Sequence, residues 1–333
     1  MSELHQAGSG DVLLSVRGLK TYFPVYGGLF ATMQGYVQAV NNVSFDVYRG
    51  ETLGLVGESG CGKSTLAQTI LRIVPATAGE VFFEGRNILN LSREEFRLLR
   101  KEIQIVFQDP FSTLDPRVSI GKSIEEPLLV YGMKDARKRR EIAQETMRVV
   151  GLEPSYYDRF PHEFSGGQRQ RVSIARSLIL RPKLIFCDEP VSALDVSIQS
   201  QILNLLKRLQ REFHLTYVFI SHALNVVRHV SDRVAVMYLG QIVEMSPSEE
   251  LFEHPMHPYT QALISAIPIP DPDVHRERVL LRGDLPSPQN PPAGCRFHTR
   301  CPMAKDICAK VAPELRDMGG GHLAACHLAK GGI

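Results

Sequence analysis

The sequence has almost no charge imbalance and no long apolar run. Its 38 lysines and arginines nearly match its 36 aspartates and glutamates, so the formal net charge is +2. No net field favours nucleic acid or an anionic membrane surface as the main partner. No stretch approaches the ~18 apolar residues that cross a bilayer, and the first residues carry neither a basic nor an apolar targeting segment. We expect a cytosolic protein that reaches a membrane only through a partner chain.

The length indicates more than one small module. A chain of 333 residues with 44% hydrophobic and 22% charged residues predicts a globular protein of two domains, or one large domain with an appendage. The sequence has no internal repeat, and its texture changes after Gly240 towards a proline-dense stretch. We expect a flexible tail at residues 1–10, a main domain at residues 11–242 and an appended region at residues 243–333.

The pattern of apolar residues predicts an α/β fold. VLLSVRGL and VQAVNNVSFDV alternate as half-buried strands do, and an insert rich in glycine and aromatic residues separates them. Helical periodicity dominates residues 93–176. Apolar strands follow at KLIFCDEP, LTYVFIS and RVAVMYLG. Strands separated by helix-length segments predict a parallel sheet with helices on both faces.

A glycine-rich turn at residues 57–64, GESGCGKS, lies between a short apolar strand and a helix. It fits the phosphate loop of P-loop NTPases, in which curled backbone amides and the helix N-terminus surround phosphates. Lys63 would reach the β- and γ-phosphates, and the Ser64 hydroxyl would bind Mg²⁺. The expected ATP-binding residues of this segment are Gly57, Ser59, Gly60, Cys61, Gly62, Lys63, Ser64 and Thr65.

Two carboxylates end a second apolar strand. Asp188 and Glu189 follow LIFC, where a charge is costly unless it serves an ion or a water. We expect Asp188 to hold Mg²⁺ through water and Glu189 to act as the general base for attack on the γ-phosphate. The alternative for Glu189 is a helix N-cap or turn carboxylate.

The segment at residues 164–168, FSGGQ, precedes the basic helix RQRVSIARSLI. Together they resemble the signature motif of ABC transporter ATPases, with Phe164 in place of the usual Leu. The resemblance implies an ABC cassette with a RecA-like parallel-sheet core, an antiparallel β subdomain and an α-helical subdomain at about residues 93–176.

Further motifs follow in the order of that family. Gln108 resembles the Q-loop glutamine, which contacts Mg²⁺ and the attacking water. The SALD sequence ending at Asp195 resembles the D-loop, and His222 resembles the switch histidine that contacts the γ-phosphate. The family usually has Asp after this histidine, whereas Ala223 stands here.

An aromatic residue near the N-terminus resembles the one that stacks on adenine in this family. Tyr22 in LKTYF is the first candidate, and the insert before Val37 makes Phe23 its rival. A core tyrosine is the plain alternative for Tyr22.

The motifs imply a dimer. The amides of Ser165, Gly166, Gly167 and Gln168, together with Asp195, would face ATP bound by a second cassette, so two chains close head to tail. In the resembled family, closure on ATP and opening after hydrolysis drive transport.

The tail narrows the family. HPYTQALISAIP at residues 257–268 and the segment LRGDLPSPQNPPAGCRFHTRCPMAKDIC resemble the C-terminal extension of ATPase subunits of dipeptide and oligopeptide importers. The match covers residues 12–328 and is closest to the second ATPase subunit of a dipeptide-type permease. It implies a peripheral ATPase at the cytoplasmic face of the inner membrane that drives peptide uptake. The implied partners are a second ATPase subunit forming a heterodimer, two integral permeases and an extracytoplasmic peptide-binding protein, without nucleic acid. Nickel and glutathione importers are close relatives.

Four cysteines crowd the end of the chain as C-x5-C-x6-C-x17-C, at Cys295, Cys301, Cys308 and Cys326. A reducing cytosol favours metal over disulfides, and the spacing fits a [4Fe–4S] cluster better than zinc. The resembled importers also favour the cluster. Zinc and unliganded thiols remain alternatives.

Two other functions compete with peptide import. Soluble ABC proteins of ribosomes or DNA repair commonly have two cassettes or a long coiled coil, and this chain has one cassette and no sustained heptads. A subunit that binds ATP without hydrolysing it is opposed by the presence of Lys63, Gln108, Asp188, Glu189 and His222.

Overall fold

The computed structural model describes residues 11–27, 32–109, 113–267, 281 and 283–329. The chain divides into two compact units, the first comprising residues 1–90 and 220–333 and the second residues 91–219. The tail expected at residues 1–10 lies outside the described residues, as do residues 28–31 of the insert and residues 268–280 of the proline-dense stretch. Across the described part of the chain, no helix is both long and apolar enough to span a membrane.

The elements alternate along the chain between strands and helices. Over the described residues the strands are β1 (Val12–Gly27), β2 (Thr32–Tyr48), β3 (Thr52–Val56), β4 (Ala78–Phe83), β5 (Arg86–Asn87), β6 (Ile103–Val106), β7 (Leu184–Asp188), β8 (Thr216–Ser221), β9 (Arg233–Tyr238), β10 (Gln241–Pro247), β11 (Arg316–Asp317) and β12 (Leu323–Ala324). The α-helices are α1 (Lys63–Ile70), α2 (Arg93–Leu99), α3 (Ile120–Val130), α4 (Ala136–Val149), α5 (Gly166–Leu178), α6 (Val196–Phe213), α7 (Leu224–Val230), α8 (Ser248–Glu253), α9 (Pro258–Ser265) and α10 (Asp306–Lys310).

An antiparallel sheet in the first unit has the strand order β2-β1-β4-β5. Strands β1 and β2 pair from Val12 opposite Tyr48 out to Gly27 opposite Thr32. The two predicted strands therefore extend into the insert, which lengthens the hairpin instead of interrupting it. The buried residues of β1 are Leu13, Leu14, Val16, Leu19 and Thr21, so register shifts against β2 interrupt the alternation that the sequence pattern predicts.

A second set of strands in the first unit has the order β11-β12-β10-β9-β3. Strand β3 pairs in parallel with β9, and β9 pairs antiparallel with β10. Leu239 and Gly240 join β9 to β10, and both have positive φ, as a tight hairpin turn requires. The tail adds β12 to β10 through Glu244 opposite Ala324. The expected domain boundary at residue 242 falls inside β10.

The second unit combines helices with strands β6 and β7, which pair in parallel from Ile103 opposite Leu184 to Val106 opposite Cys187. Strand β8, which covers the boundary between the units, follows next to β7. Ser92 begins α2 with a capping box in which its hydroxyl accepts from the Glu95 amide. The five apolar residues buried along α6 form its packing face.

Candidate functional site

The predicted phosphate loop at residues 57–64 lies between β3 and α1. All five residues of β3 are buried, so the loop leaves the core directly. Gly62 has a φ of 106° and Gly57 a φ of 154°. A Cβ at Gly62 would collide with the carbonyl oxygen of Ala39, and one at Gly57 with that of Met237. These two close approaches require glycine and determine the path of the loop.

Lys63 is folded back onto the loop that it would use to bind phosphate. Its Nζ donates to the carbonyl oxygens of Gly57 at 2.8 Å and Glu58 at 3.0 Å, and the residue is buried. The first turn of α1, which also carries Ser64 and Thr65, contains no acidic residue. No carboxylate of the helix's own first turn therefore neutralises its positive end, which favours binding of an anion there.

The tip of the loop is exposed and its far side is buried. Ser59 and Gly60 are exposed, whereas Cys61 is buried and its carbonyl accepts from the Gly240 amide at 2.8 Å. Burial raises the pKa of the Cys61 thiol, so it stays protonated at neutral pH. The Cys61 side chain is therefore a buried packing residue, and its backbone carbonyl connects the loop to Gly240.

Tyr22 of β1 is held by its hydroxyl. It donates to Asn41 Oδ1 at 2.5 Å, and its ring centroid lies 6.5 Å from that of Tyr36. Its neighbour Phe23 is 38% exposed. Because successive side chains of a strand point to opposite faces, only one of these two rings can face a given ligand. Stacking of Tyr22 on adenine stays a prediction.

In the second unit, Gln108 and Glu189 are in contact. Gln108 Nε2 donates to Glu189 Oε2 at 3.0 Å. Asp188 ends the fully buried strand β7, and Glu189 follows with a φ of 47°. Such a backbone costs on the order of 1 kcal/mol or more in a residue with a Cβ, and it persists only where its surroundings enforce it. The two residues expected to orient and deprotonate a water are thus brought together.

The signature segment forms the N-terminus of α5. The Ser165 amide donates to Gln168 Oε1 at 3.0 Å and the Gln168 amide donates to Ser165 Oγ at 3.4 Å. This capping box fixes the turn. Phe164 is buried, with its ring edge-on to Tyr156 at 5.7 Å, so the aromatic that replaces the usual Leu fills a packing site. Ser165 itself is exposed.

Asp195 and His222 are exposed at the starts of helices. Asp195 is the N-cap residue of α6, without a side-chain cap bond. His222 follows β8, and Ala223 begins α7 without a side-chain cap. The Ala223 amide instead donates to Ser221 Oγ at 3.0 Å. The Ala in place of the usual Asp therefore changes how this loop is capped, while His222 stays exposed.

The four clustered cysteines share one neighbourhood. Cys308 and Cys326 are buried, Cys295 and Cys301 are half-buried, and the Cys295 amide donates to the Cys308 carbonyl at 2.8 Å. Burial, with a smaller contribution from the three other thiols, raises the pKa of Cys295 to about 11. Yet the described residues contain no group of three or more His, Cys, Asp or Glu placed to hold a metal ion. The structure thus gives no support to the expected [4Fe–4S] cluster or to zinc at these cysteines.

The structure shows contacts between the C-terminal region and the phosphate loop that the sequence does not predict. Arg300 and Tyr259 both bond to Glu58, which lies in the loop. Glu58 occupies a variable position of the phosphate-loop motif, and no pattern in the sequence indicates these partners.

Comparisons with known proteins agree with the motifs. Residues 40–192 match the model of the ABC transporter family, and residues 243–308 match that of the oligopeptide/dipeptide transporter C-terminal region. Among solved structures, the dimeric cassette MJ0796 bound to ADP and Pi is 29% identical, with a TM-score of 0.63 over 71% of this chain and 98% of that one. CbiO1 of Clostridium perfringens is 30% identical, with a TM-score of 0.62 over 73% and 92%. The fold and the site define an ABC ATPase.

The curated relatives are more specific. The oligopeptide transport ATP-binding protein AppF of Bacillus subtilis is 54% identical over 325 residues, which are 97% of this chain and 99% of AppF. OppF of Escherichia coli, of the same description, is 53% identical over 91% of this chain and 92% of its own. The chain belongs to the family of ATP-binding subunits of oligopeptide ABC importers, and it is an ATPase. The competing soluble class of ABC protein is not favoured by these matches.

Proposed function

We propose that this chain hydrolyses MgATP in a head-to-tail cassette dimer at the cytoplasmic face of the inner membrane, and so drives uptake of di- and oligopeptides. Its partners are a second ATPase subunit, two integral permeases and an extracytoplasmic peptide-binding protein. The observation that supports the hydrolytic role most directly is the 3.0 Å bond between Gln108 and Glu189. A water activated by Glu189 needs an orienting group, and the amide of Gln108 is one.

Phosphate binding uses the loop and Lys63. With nucleotide bound, the Lys63 ammonium exchanges the carbonyl oxygens of Gly57 and Glu58 for phosphate oxygens. The exchange is favourable because an ionic partner replaces neutral ones. The backbone amides at the start of α1 and the hydroxyl of Thr65 add donors.

Ser64 and Asp188 supply the oxygen ligands that Mg²⁺ prefers, Ser64 directly and Asp188 through water. The ion, when bound, neutralises charge on the β- and γ-phosphates. Gln108 contributes a further oxygen. Asp188 is buried and ends β7, and the carboxyl ends of strands are where open α/β sheets bind their ligands, which supports the assignment.

Glu189 acts as the base and His222 contacts the γ-phosphate. The strained backbone of Glu189 fixes where its carboxylate points, which is a feature of functional sites. His222 is exposed and directly follows the buried strand β8, a position that supports this role.

The second half of each site comes from the other cassette of the dimer. Ser165, Gly166, Gly167 and Gln168 present a capped helix N-terminus without a local acidic residue, and Asp195 is exposed. A γ-phosphate carried by a facing cassette fits such a surface. The exposure of Ser165 supports a role towards another chain.

A cleft of about 350 Å³ in the second unit is our candidate for permease docking. Its lining includes Phe107, Val130 and Tyr131, together with the Arg176 to Glu126 ion pair of 2.7 Å. Phe107 is 37% and Val130 60% exposed. An apolar floor beside charged groups suits a short amphipathic helix of a membrane partner. The residues that line the cleft flank Gln108 in the sequence, with Phe107 directly before it and Thr113 a few positions after it.

The test of the hydrolytic role is Glu189→Gln in the full-length chain. ATP affinity should stay within about twofold and turnover should fall by about a hundredfold or more, because the base is lost while the phosphate contacts stay. Glu212→Gln, at an exposed carboxylate of α6, is the matched control and should leave turnover unchanged. Unchanged turnover in Glu189→Gln would refute the assignment of the base.

An iron–sulfur cluster at the four clustered cysteines is a separate proposal. Its support is the spacing of the four cysteines in the sequence. Iron and acid-labile sulfide, measured on anaerobically purified protein, should both be present at about four per chain if the proposal holds. Absence of both leaves free thiols, and zinc without sulfide would assign a zinc site.

A further inference from the structure

Glu58 is bonded at three points within the first unit. Its carboxylate accepts two bonds from the Arg300 guanidinium, at 2.8 and 3.1 Å. Its amide donates to the Tyr259 hydroxyl at 2.9 Å. Its carbonyl accepts from Lys63 Nζ at 3.0 Å. One loop residue thus joins the lysine of the phosphate loop to two side chains of the C-terminal region.

Arg300 is carried by a short loop that is itself firmly held. The loop runs from Cys295 to Cys301. Phe297 is buried with its ring 5.2 Å from that of Tyr238 and 5.4 Å from that of Tyr259. Next to it, Arg296 donates to the carbonyl of Leu239 and to Gln38 Oε1. The packing of Phe297 and the bonds of Arg296 therefore fix the backbone of this loop, which holds the Arg300 guanidinium next to Glu58.

Tyr259 is fixed at the start of α9. It is fully buried, and its amide donates to Nδ1 of His257, the N-cap residue. Burial raises the pKa of the Tyr259 hydroxyl well above its usual value, so the oxygen stays neutral and can accept from the Glu58 amide. The contact with the loop is thus maintained over the whole neutral range of pH.

These contacts have two consequences for phosphate binding. A loop with three glycines has large conformational freedom, and holding Glu58 on both its backbone and side chain reduces the freedom to be lost when phosphate binds. The Glu58 carboxylate would also repel a polyphosphate in the same loop, and the Arg300 charge neutralises it. Arg300 side-chain exposure is only 8%, so solvent screens this pair weakly.

We propose that Arg300 and Tyr259 are positioning residues for nucleotide binding, and that the C-terminal region thereby forms a working part of the phosphate site. They act through Glu58 and touch no substrate. The inference rests on the proposed assignment of residues 57–65 to ATP.

The test is the affinity of the full-length chain for a ribose-labelled fluorescent ATP analogue, with the melting temperature measured in parallel. Arg300→Met should weaken binding about tenfold, because a bidentate bond to a charged group is lost and the carboxylate is left unpaired. Arg300→Lys should recover part of the loss. Glu58→Gln combined with Arg300→Met should recover most of it, since the repelling charge is gone. Tyr259→Phe, which keeps the ring, should weaken binding about threefold.

The matched control is Arg233→Met. Arg233 forms an ion pair of similar burial with Glu51, at 3.2 Å, in the same unit but away from the phosphate loop. It should lower the melting temperature without changing affinity. Equal affinity of Arg300→Met and the wild type, or an equal loss in Arg233→Met, overturns the inference. If substitution of Lys63 leaves the affinity for the analogue unchanged, the proposed ATP site is wrong, and the inference fails with it.

Discussion

Protonation of His257 should destabilise the protein as the pH falls from neutral. The residue is buried, and burial lowers its pKa to about 4 from the usual 6.5. Its Nδ1 accepts from the Tyr259 amide at 3.1 Å, and a protonated ring has no acceptor there. Because the folded pKa is the lower one, the unfolded chain binds more protons between pH 6.5 and pH 4. The free energy of unfolding must therefore fall as the pH is lowered through that window.

The magnitude follows from the two pKa values. With 6.5 unfolded and about 4 folded, lowering the pH from 7 to 4.5 removes about 2 kcal/mol from the free energy of unfolding. His257→Asn is the matching variant, because an Asn side chain also accepts at an N-cap but does not titrate in this range.

Urea unfolding of the wild type and of His257→Asn, followed at several pH values from 7.5 to 4.5, measures the effect. The difference between the two chains should shift by about 2 kcal/mol in favour of the variant as the pH falls. Other titrating groups are common to both chains and cancel. Parallel pH curves for the two proteins would refute the reasoning and would mean that His257 is hydrated or protonated in the native state.

Three further predictions concern nucleotide binding. Tyr22→Ala should weaken ATP binding about tenfold, whereas Phe23→Ala should leave the affinity within about twofold of the wild type. Fluorescence titration measures both affinities. A larger loss in Phe23→Ala than in Tyr22→Ala would make Phe23 the base-stacking residue. Ser165→Arg should abolish ATP hydrolysis by the assembled dimer while leaving ATP binding by the single chain intact, and retained hydrolysis would contradict the role of this helix terminus. Phe164→Leu should keep at least half of the ATPase activity and cost about 1 kcal/mol of stability, because a smaller apolar side chain replaces a buried ring.

The parts of the fold that are local in sequence were predictable. The apolar run of β3, the glycines at residues 57–62 and the helix beginning at Lys63 form one continuous strand, loop and helix, and the structure has them in that order. Strand β7 and the two carboxylates after it follow from the same logic, since an apolar run that ends in charges indicates a buried strand with a functional edge.

Short or non-local elements were not predictable. Strand β6 has four residues inside a region of helical periodicity, and it forms because β7 lies beside it. The strands of the long hairpin reach into the insert because each supplies hydrogen-bond partners to the other, which composition alone does not reveal. The sequence pattern predicts a parallel sheet. It does not indicate β10, which pairs antiparallel with β9.

In the candidate site, too, features that are local in the sequence were predictable and contacts between distant residues were not. Its motif residues could be named because each motif is short and its chemistry is specific. The bond between Gln108 and Glu189 joins residues 81 positions apart, and that between Arg300 and Glu58 joins residues 242 positions apart. No periodicity relates such pairs, so only the folded chain brings them into view.

We propose that ATP hydrolysis by this chain drives peptide uptake. The most direct test of this proposal is the uptake of labelled dipeptides and oligopeptides by proteoliposomes that contain the membrane assembly co-purifying with the full-length chain. We expect uptake that requires MgATP, with loss of uptake when the assembly carries Glu189→Gln. ATP hydrolysis by an assembly without permeases, or by one that moves no peptide, would contradict it.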